Sequence, residues 1–585
     1  MRKLDSVKKP KALISFLLKS IICISVLVFL IVTGLLVGAY FNNGKNDVSN
    51  DLVFPIIRSF IIIFPIDLIL IFIIFVLATV YHLVNKKHVV VKKADSLFEL
   101  SRTTLIYFDE TDIFQGKNCS VKEVVALSSK NKNEIIDIVG SIAFQIKNAN
   151  PVIHSLQMLS YIPVFSDDEV SEEDNYYLAN YKGQKYVLGE NGSFKYRQEE
   201  FIKTKVEPYL LKGYEVLLVG SFEKDIKTGK YADFADVFGL IIIKNEVNND
   251  YKDMVRYFQN RDVKVKVLSS GNAVMASQQA NAVGVNNAGK FISLNSHSEI
   301  NEHLINEFSV FGGLSKKQKQ QVIALSENQG EVVTTFAHSE DTHNSNCVIS
   351  SRDDINADVV LGKESSPMTP FREGVTLSNK IYRVFTLLLF KSLFVDLYLI
   401  IGSILAVMGY SYNYKPMGLG VLFALLAGLS IAFDYERIEP PSLINMWRKT
   451  LISFGLCSLT MVTFFVMHAL QIKGLLYTGI IDYNVCLSMC GIILIIGVAI
   501  TSINLYIPTN KHRAIILSII LALIIAVTGF IWGLSYGLGK EILGLCFHKF
   551  NGQNIISLII ALFMLTSLYI LINYLIDNYK ERGEQ

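Results

Sequence analysis

Residues 54–100 read FPIIRSFIIIFPIDLILIFIIFVLATVYHLVNKKHVVVKKADSLFEL, and the solvent they require changes part-way along. From 54 to 84 almost every position is apolar. A helix rises about 1.5 Å per residue, so a hydrocarbon layer about 30 Å thick needs about 20 such residues. After 84 come Lys86, Lys87, Lys92 and Lys93, a basic collar that stays in water. Within the run, Pro65 lacks an N–H and biases its predecessor to extended backbone, which breaks the helical pattern. Asp67 follows two residues later. A charge inside a membrane is expensive and by default marks a pathway, here beside backbone carbonyls freed by the break.

Outward from this run, seven further segments are long and apolar enough to cross: 13–40, 384–410, 417–433, 451–470, 485–506, 514–536 and 555–576. The first has a basic start but is too long for a signal-peptide core and lacks a small-residue cleavage site, so it reads as a retained span. Lysine and arginine cluster in residues 1–12, after 84, at Arg437, Arg448 and Lys449, at Lys511 and Arg513, and at Lys580 and Arg582. By the positive-inside rule both termini (1–12 and 578–585) and the large middle segment are expected in the cytoplasm of a multi-pass cell-membrane protein. The lipid bilayer is then a necessary partner. A net charge of +3, with no basic stripe, argues against nucleic acid. The seven cysteines form no disulfide framework. Cys486 and Cys490 are one helical turn apart, a spacing that suits a soft metal but fits packing between helices better.

The middle reads as a soluble α/β protein. Short apolar runs at 104–108, 216–219, 237–243, 263–268 and 332–335 are expected strands, and 250–260, 273–283 and 316–328 carry helical periodicity. Their alternation predicts a parallel sheet covered on both faces. Residues 119–235 lack the alternation and read as an inserted α+β module with a hairpin at 181–192.

The run 105–117, LIYFDETDIFQGK, delivers an acid at the end of an apolar strand with a threonine two residues on. It resembles the DKTGTLT phosphorylation motif of P-type ATPases, ion pumps with a haloacid-dehalogenase-like, Rossmannoid core. Further similarities follow in family order. FPIDLIL (64–70) stands where the family has its PEGLP break, and YVLGENGSF (186–194) where it has YVLGAPE. Residues 239–272 resemble the segment ending VKVISGDN, and 310–333 the segment VFGRVSPEQKLKIVEAL. Bacterial calcium and other cation pumps are the most similar branch. The resemblance implies a phosphorylation domain in two parts, 85–118 and 236–380, around a nucleotide-domain-like insert at 119–235. Two spans in 13–84 would correspond to the family's third and fourth, with six more in 384–577 and no actuator domain.

By that resemblance Asp109 is the phospho-acceptor position, with Thr111, Ser269 and Lys319 as its catalytic companions. Asp341 and Asp109 are candidate metal ligands, Lys185 and Gly189 (in a turn at 186–189) candidate nucleotide contacts, and Pro65, Asp67 and Asp396 the candidate ion pathway. Asp396 lies five residues past Lys391, which, like Arg58, is a candidate ion-pair partner. The departures matter as much. Glu110 replaces the motif's lysine, Asp112 its glycine, and Ser270 the glycine of SGD. His338 and Thr342 replace both metal-binding acids of TGDGVND. Phosphoryl transfer needs a metal and cationic groups on the developing charge, so these exchanges point to lost catalysis. The expected protein is therefore a degenerate, non-catalytic or regulatory component linked to cation transport, with a second membrane subunit or an actuator-bearing protein as partner. The alternatives are an active pump whose actuator is a separate polypeptide, and a slow phosphatase. Mg²⁺ and ATP are its cofactors if it is active, and none otherwise.

Overall fold

The computed structural model describes residues 10–583 apart from 45–46, 129, 147–150, 160–169, 174–175, 182–183, 191, 211, 213, 225–230, 295–299, 338–344, 352–355, 363–364, 435–439, 473–481 and 508. The chain divides into two compact units: Leu83–Phe371, and the segments on either side of it.

The flanking segments form the membrane unit. Among the described residues eight helices are long and apolar enough to span, the first two before the α/β unit and six after it. The chain is a multi-pass membrane protein in contact with lipid. Thr369–Val407 and Tyr483–Leu505 form the centre, with 72% and 83% of their most apolar windows buried, whereas Lys511–Leu538 and Gly552–Ile576 bury 17% and 11%. The outer helices therefore present their apolar side chains to the bilayer. Where the sequence places a break, the helix Phe54–Ile63 ends, Phe64 turns to extended backbone (ψ 132°), and a new helix runs Ile66–Lys87.

Among the described residues fourteen strands build two sheets in the α/β unit. In chain order they are β1 (Val89–Val91), β2 (Leu105–Asp109), β3 (Gln115–Ala126), β4 (Val170–Glu173), β5 (Tyr176–Tyr181), β6 (Gln184–Glu190) and β7 (Glu215–Lys224). There follow β8 (Tyr231–Val247), β9 (Lys264–Leu268), β10 (Phe291–Ser293), β11 (Val310–Gly312), β12 (Val333–Ala337), β13 (Cys347–Ser350) and β14 (Val359–Leu361). The first sheet has the order β1-β14-β13-β12-β2-β9-β11-β10. It is parallel except for the edge pair β1–β14. Its middle strand β2 is buried along its whole length, as a parallel strand covered on both faces must be.

From β2 the chain builds outward to β9, β10 and β11 on one side, then crosses to β12, β13 and β14 on the other. Successive connections thus leave β2 in opposite directions. In open α/β sheets the crevice beyond the carboxyl ends at such a switch point is where ligands are held.

The second sheet is antiparallel, ordered β3-β8-β7-β6-β5-β4. Alternate residues face two separate cores. Leu188, Leu217, Val219, Ile241 and Ile243 pack with the helix Lys132–Gln145, whereas Val187, Val216, Leu218, Leu240 and Ile242 pack with Ile202 and Val206 of Glu199–Leu210. This corrects three sequence expectations. The strand at 237–243 joins this sheet, pairing with β3 and β7, so the second sheet spans 115–247 rather than 119–235. An apolar run buried on both faces reads the same whichever sheet it joins. The hairpin is β5–β6, closing at Tyr181 and Gln184. Residues 186–189 are no turn but the middle of β6, paired on both sides.

Candidate functional site

The carboxyl edge of the parallel sheet gathers the charged groups. Asp109 is the last residue of β2 and is completely buried. Lys319, also buried, reaches it from the first turns of the helix Lys316–Asn328, with Nζ 2.7 Å from Asp109 Oδ1. That helix starts at a fixed point because the Gln318 side chain accepts a hydrogen bond from the Ser315 N–H at 2.9 Å, a capping arrangement.

The same ammonium lies 2.6 Å from Glu110 Oε1. Glu110 Oε1 also accepts from the Ser270 backbone N–H at 2.7 Å and the Ser270 hydroxyl at 2.6 Å. Its Oε2 accepts from the Ser269 hydroxyl at 2.8 Å. Glu110 has φ +70°, a left-handed backbone rare for a non-glycine residue, and its own N–H donates to Leu268 O at 2.8 Å. Burial pushes the Glu110 carboxyl up, but the Lys319 charge and the hydrogen bonds from Lys319 and Ser270 outweigh it and hold it below its usual range. For Lys319 burial pulls down, and the two carboxylates win and hold it above its usual value. Among the described residues two carboxylates share this one ammonium, which leaves it less able to attract a second anion.

The loop carrying Ser269 and Ser270 is pinned from β11. The Gly313 N–H donates to Gly271 O at 2.8 Å and the Leu314 N–H to Ser269 O at 3.0 Å. Only glycine fits at 312, where a Cβ would meet Ala273 Cα at 2.4 Å, and Gly313 has φ +69°. Beyond the loop, Asn272 caps the helix Ala273–Ala282 by accepting from the Val274 N–H at 2.8 Å.

Asp109, Ser269 and Lys319 are thus brought together. Thr111 lies in a one-turn helix, Thr111–Phe114, and its side chain lies outside the described residues. So do Asp341 and His338, with the rest of 338–344. Lys185 and Gly189 are on β6 of the other sheet, Lys185 against the rings of Phe222 and Tyr231.

Within the membrane unit, Asp67 Oδ2 is 2.8 Å from Lys391 Nζ, and its Oδ1 accepts from the Leu68 N–H at 3.1 Å. Lys391 therefore pairs with Asp67 across the helix break rather than with Asp396 on its own helix. Five residues on a helix point about 140° apart, so that intrahelical pair was poorly aligned. Asp396 is buried, and among the described residues no hydrogen-bond donor reaches its Oδ1. Sequence reasoning missed the Glu110 hydrogen bonds, although Glu110 and Ser270 were both visible as departures.

No family model matches the chain. It is 25% identical over 171 residues to the calcium-transporting ATPase CtpE of Mycolicibacterium smegmatis. The similarity fits a P-type ATPase-like protein. The match covers 29% of this chain and about a fifth (21%) of that protein's length. Such a relative implies Mg²⁺ and ATP. Mg²⁺ demands near-octahedral oxygen ligands, whereas Asp109 Oδ1 faces an ammonium and the Glu110 oxygens are taken by Lys319 and two serines. Among the described residues no three His, Cys, Asp or Glu side chains gather as a metal site. The described donor set does not fit the ion.

Proposed function

We propose that this chain is a catalytically degenerate relative of P-type ATPases, a non-catalytic membrane component linked to cation transport. Its α/β unit and both termini lie in the cytoplasm, and it works with another membrane subunit or an actuator-bearing protein. One observation carries the reading: the acceptor-position Asp109 shares the buried Lys319 ammonium with a second carboxylate, Glu110. Phosphoryl transfer needs positive charge free to meet the phosphate, and here that charge is already neutralised. The Asp67–Lys391 pair supports the same reading in the membrane unit, since the carboxylate beside the break has an internal counter-ion.

Purified protein with radiolabelled ATP and Mg²⁺ should carry no acid-stable phosphate on Asp109. Each lost electrostatic contact costs about 10²–10³ in rate. Such losses do not simply multiply, but even a combined loss of about 10⁴ leaves no useful pump. Glu110→Lys together with His338→Asp should restore some labelling. Ready labelling of the natural chain, abolished by Asp109→Asn, would overturn the proposal in favour of an active ATP-driven transporter.

A further inference from the structure

We infer that the Glu110 carboxylate is a tethered occupant of an oxyanion cradle, and that this cradle binds inorganic phosphate once the carboxylate is removed. The inference deepens the proposal above and rests on its reading of the Asp109 edge as a relinquished phosphoryl site.

The cradle is built to hold a bound anion. Four donors converge on the two Glu110 oxygens: the buried Lys319 ammonium, the Ser270 N–H and hydroxyl, and the Ser269 hydroxyl, all within 2.6–2.8 Å. Charge-assisted bonds of this length are the strong kind. The Ser269 oxygen itself accepts from the Gly271 N–H at 3.1 Å, which orients its hydroxyl toward Glu110. Successive backbone N–H groups ahead of the helix Ala273–Ala282 add a favourable field for negative charge. Lys319 and Ser269 are 1% and 4% exposed, so removing the carboxylate takes a partner from two buried donors, although Lys319 keeps Asp109.

Two features show that the carboxylate is held there by design of the backbone. Glu110 adopts φ +70°, a conformation that an ordinary side chain avoids. The Glu110 N–H bond to Leu268 O fixes that turn, so the side chain starts one residue from Asp109 and folds back over the β9 end. A tethered group competes at an effective concentration in the millimolar range or above. Free phosphate therefore competes for these donors against a carboxylate that is covalently held in place while Glu110 is present. Phosphate and a carboxylate share the chemistry the donors recognise, namely oxygens carrying negative charge.

The test uses the full chain in detergent and inorganic phosphate as the probe, with sodium chloride matched for ionic strength. A ligand that binds only the folded state raises the melting temperature in a saturable way. Wild type should respond to phosphate no more than to chloride. Glu110→Ala should gain a saturable response, with affinity at least about tenfold above any wild-type value. Adding Lys319→Met to Glu110→Ala should abolish it. Glu110→Gly, which suits the positive φ, serves if the alanine variant folds poorly. Saturable wild-type binding as tight as that of the variants would overturn the inference, as would folded Ala and Gly variants that both ignore phosphate. The two readings fail separately, because ATP labelling of the natural chain would overturn the proposed function whatever phosphate does.

Discussion

At Glu110 the backbone and the side chain make opposite contributions. The carboxylate gains four hydrogen bonds, and the residue sits at φ +70°, which costs about 1–2 kcal/mol for a residue with a Cβ. Glycine adopts that region freely, although it loses more entropy on folding. Replacing Glu110 by Ala or by Gly removes the same carboxylate, so the two variants differ mainly in the backbone, where relief of strain at positive φ opposes the extra entropy that glycine loses. The glycine variant should be the more stable by about 0.5–1 kcal/mol, the reverse of the usual order in regular structure. Melting both in the same detergent checks this, and an alanine variant as stable as the glycine one would show that the positive φ is not held. The sequence made the charge reversal at 110 visible but not its consequence. A lysine-to-glutamate exchange reads as repulsion until the backbone turn at Glu110 directs the carboxylate onto Lys319. The second hydroxyl at Ser270 was equally visible, and its partner was not.

Elements were legible where periodicity and punctuation agreed. The helices Asn249–Gln259, Ala273–Ala282 and Lys316–Asn328 fall where their apolar spacing put them, and Pro65 ends a helix as its missing N–H requires. Pairing was harder, because strand partners are chosen by tertiary contacts. Ile241, Ile242 and Ile243 suit a central strand of either sheet, and β10, β11 and β14 are three residues each, too short to show a period. Across the helix break the structure supplies a partner that spacing could not. Lys391 is almost wholly buried, and its ammonium meets Asp67 from a different helix. Lys391→Met would leave that carboxylate without its cation, and breaking such a pair costs about 3–5 kcal/mol. Adding Asp67→Asn should recover most of the loss, since an apolar or neutral replacement of a buried pair is often near neutral. Melting temperatures of the two single variants and the double variant measure the coupling. A Lys391→Met protein as stable as wild type would mean that the pair contributes nothing to folding.

For the whole molecule, eight spans follow from length and apolarity, while sidedness follows from charge. Every cluster of lysine and arginine beside a span falls on one side if the spans alternate: Lys86 and Lys87, then Arg448 and Lys449, then Lys511 and Arg513. Positive residues resist translocation, so that side is expected to be the cytoplasm. The loop after Lys511–Leu538 then faces outward, and the α/β unit inward. Two exposed positions separate the alternatives: Glu223, whose side chain is 67% exposed on β7, and Lys540, just beyond the end of Lys511–Leu538. In intact cells of a bacterial host, a membrane-impermeant thiol reagent should label Lys540→Cys above the background of the native cysteines. Glu223→Cys should stay unlabelled until the cells are opened. The opposite pattern would invert the molecule and place the Asp109 cradle outside, away from cytoplasmic ATP. Labelling of both variants in intact cells would mean that an even number of helices crosses between them, so that one of the five spans between Glu223 and Lys540 does not cross.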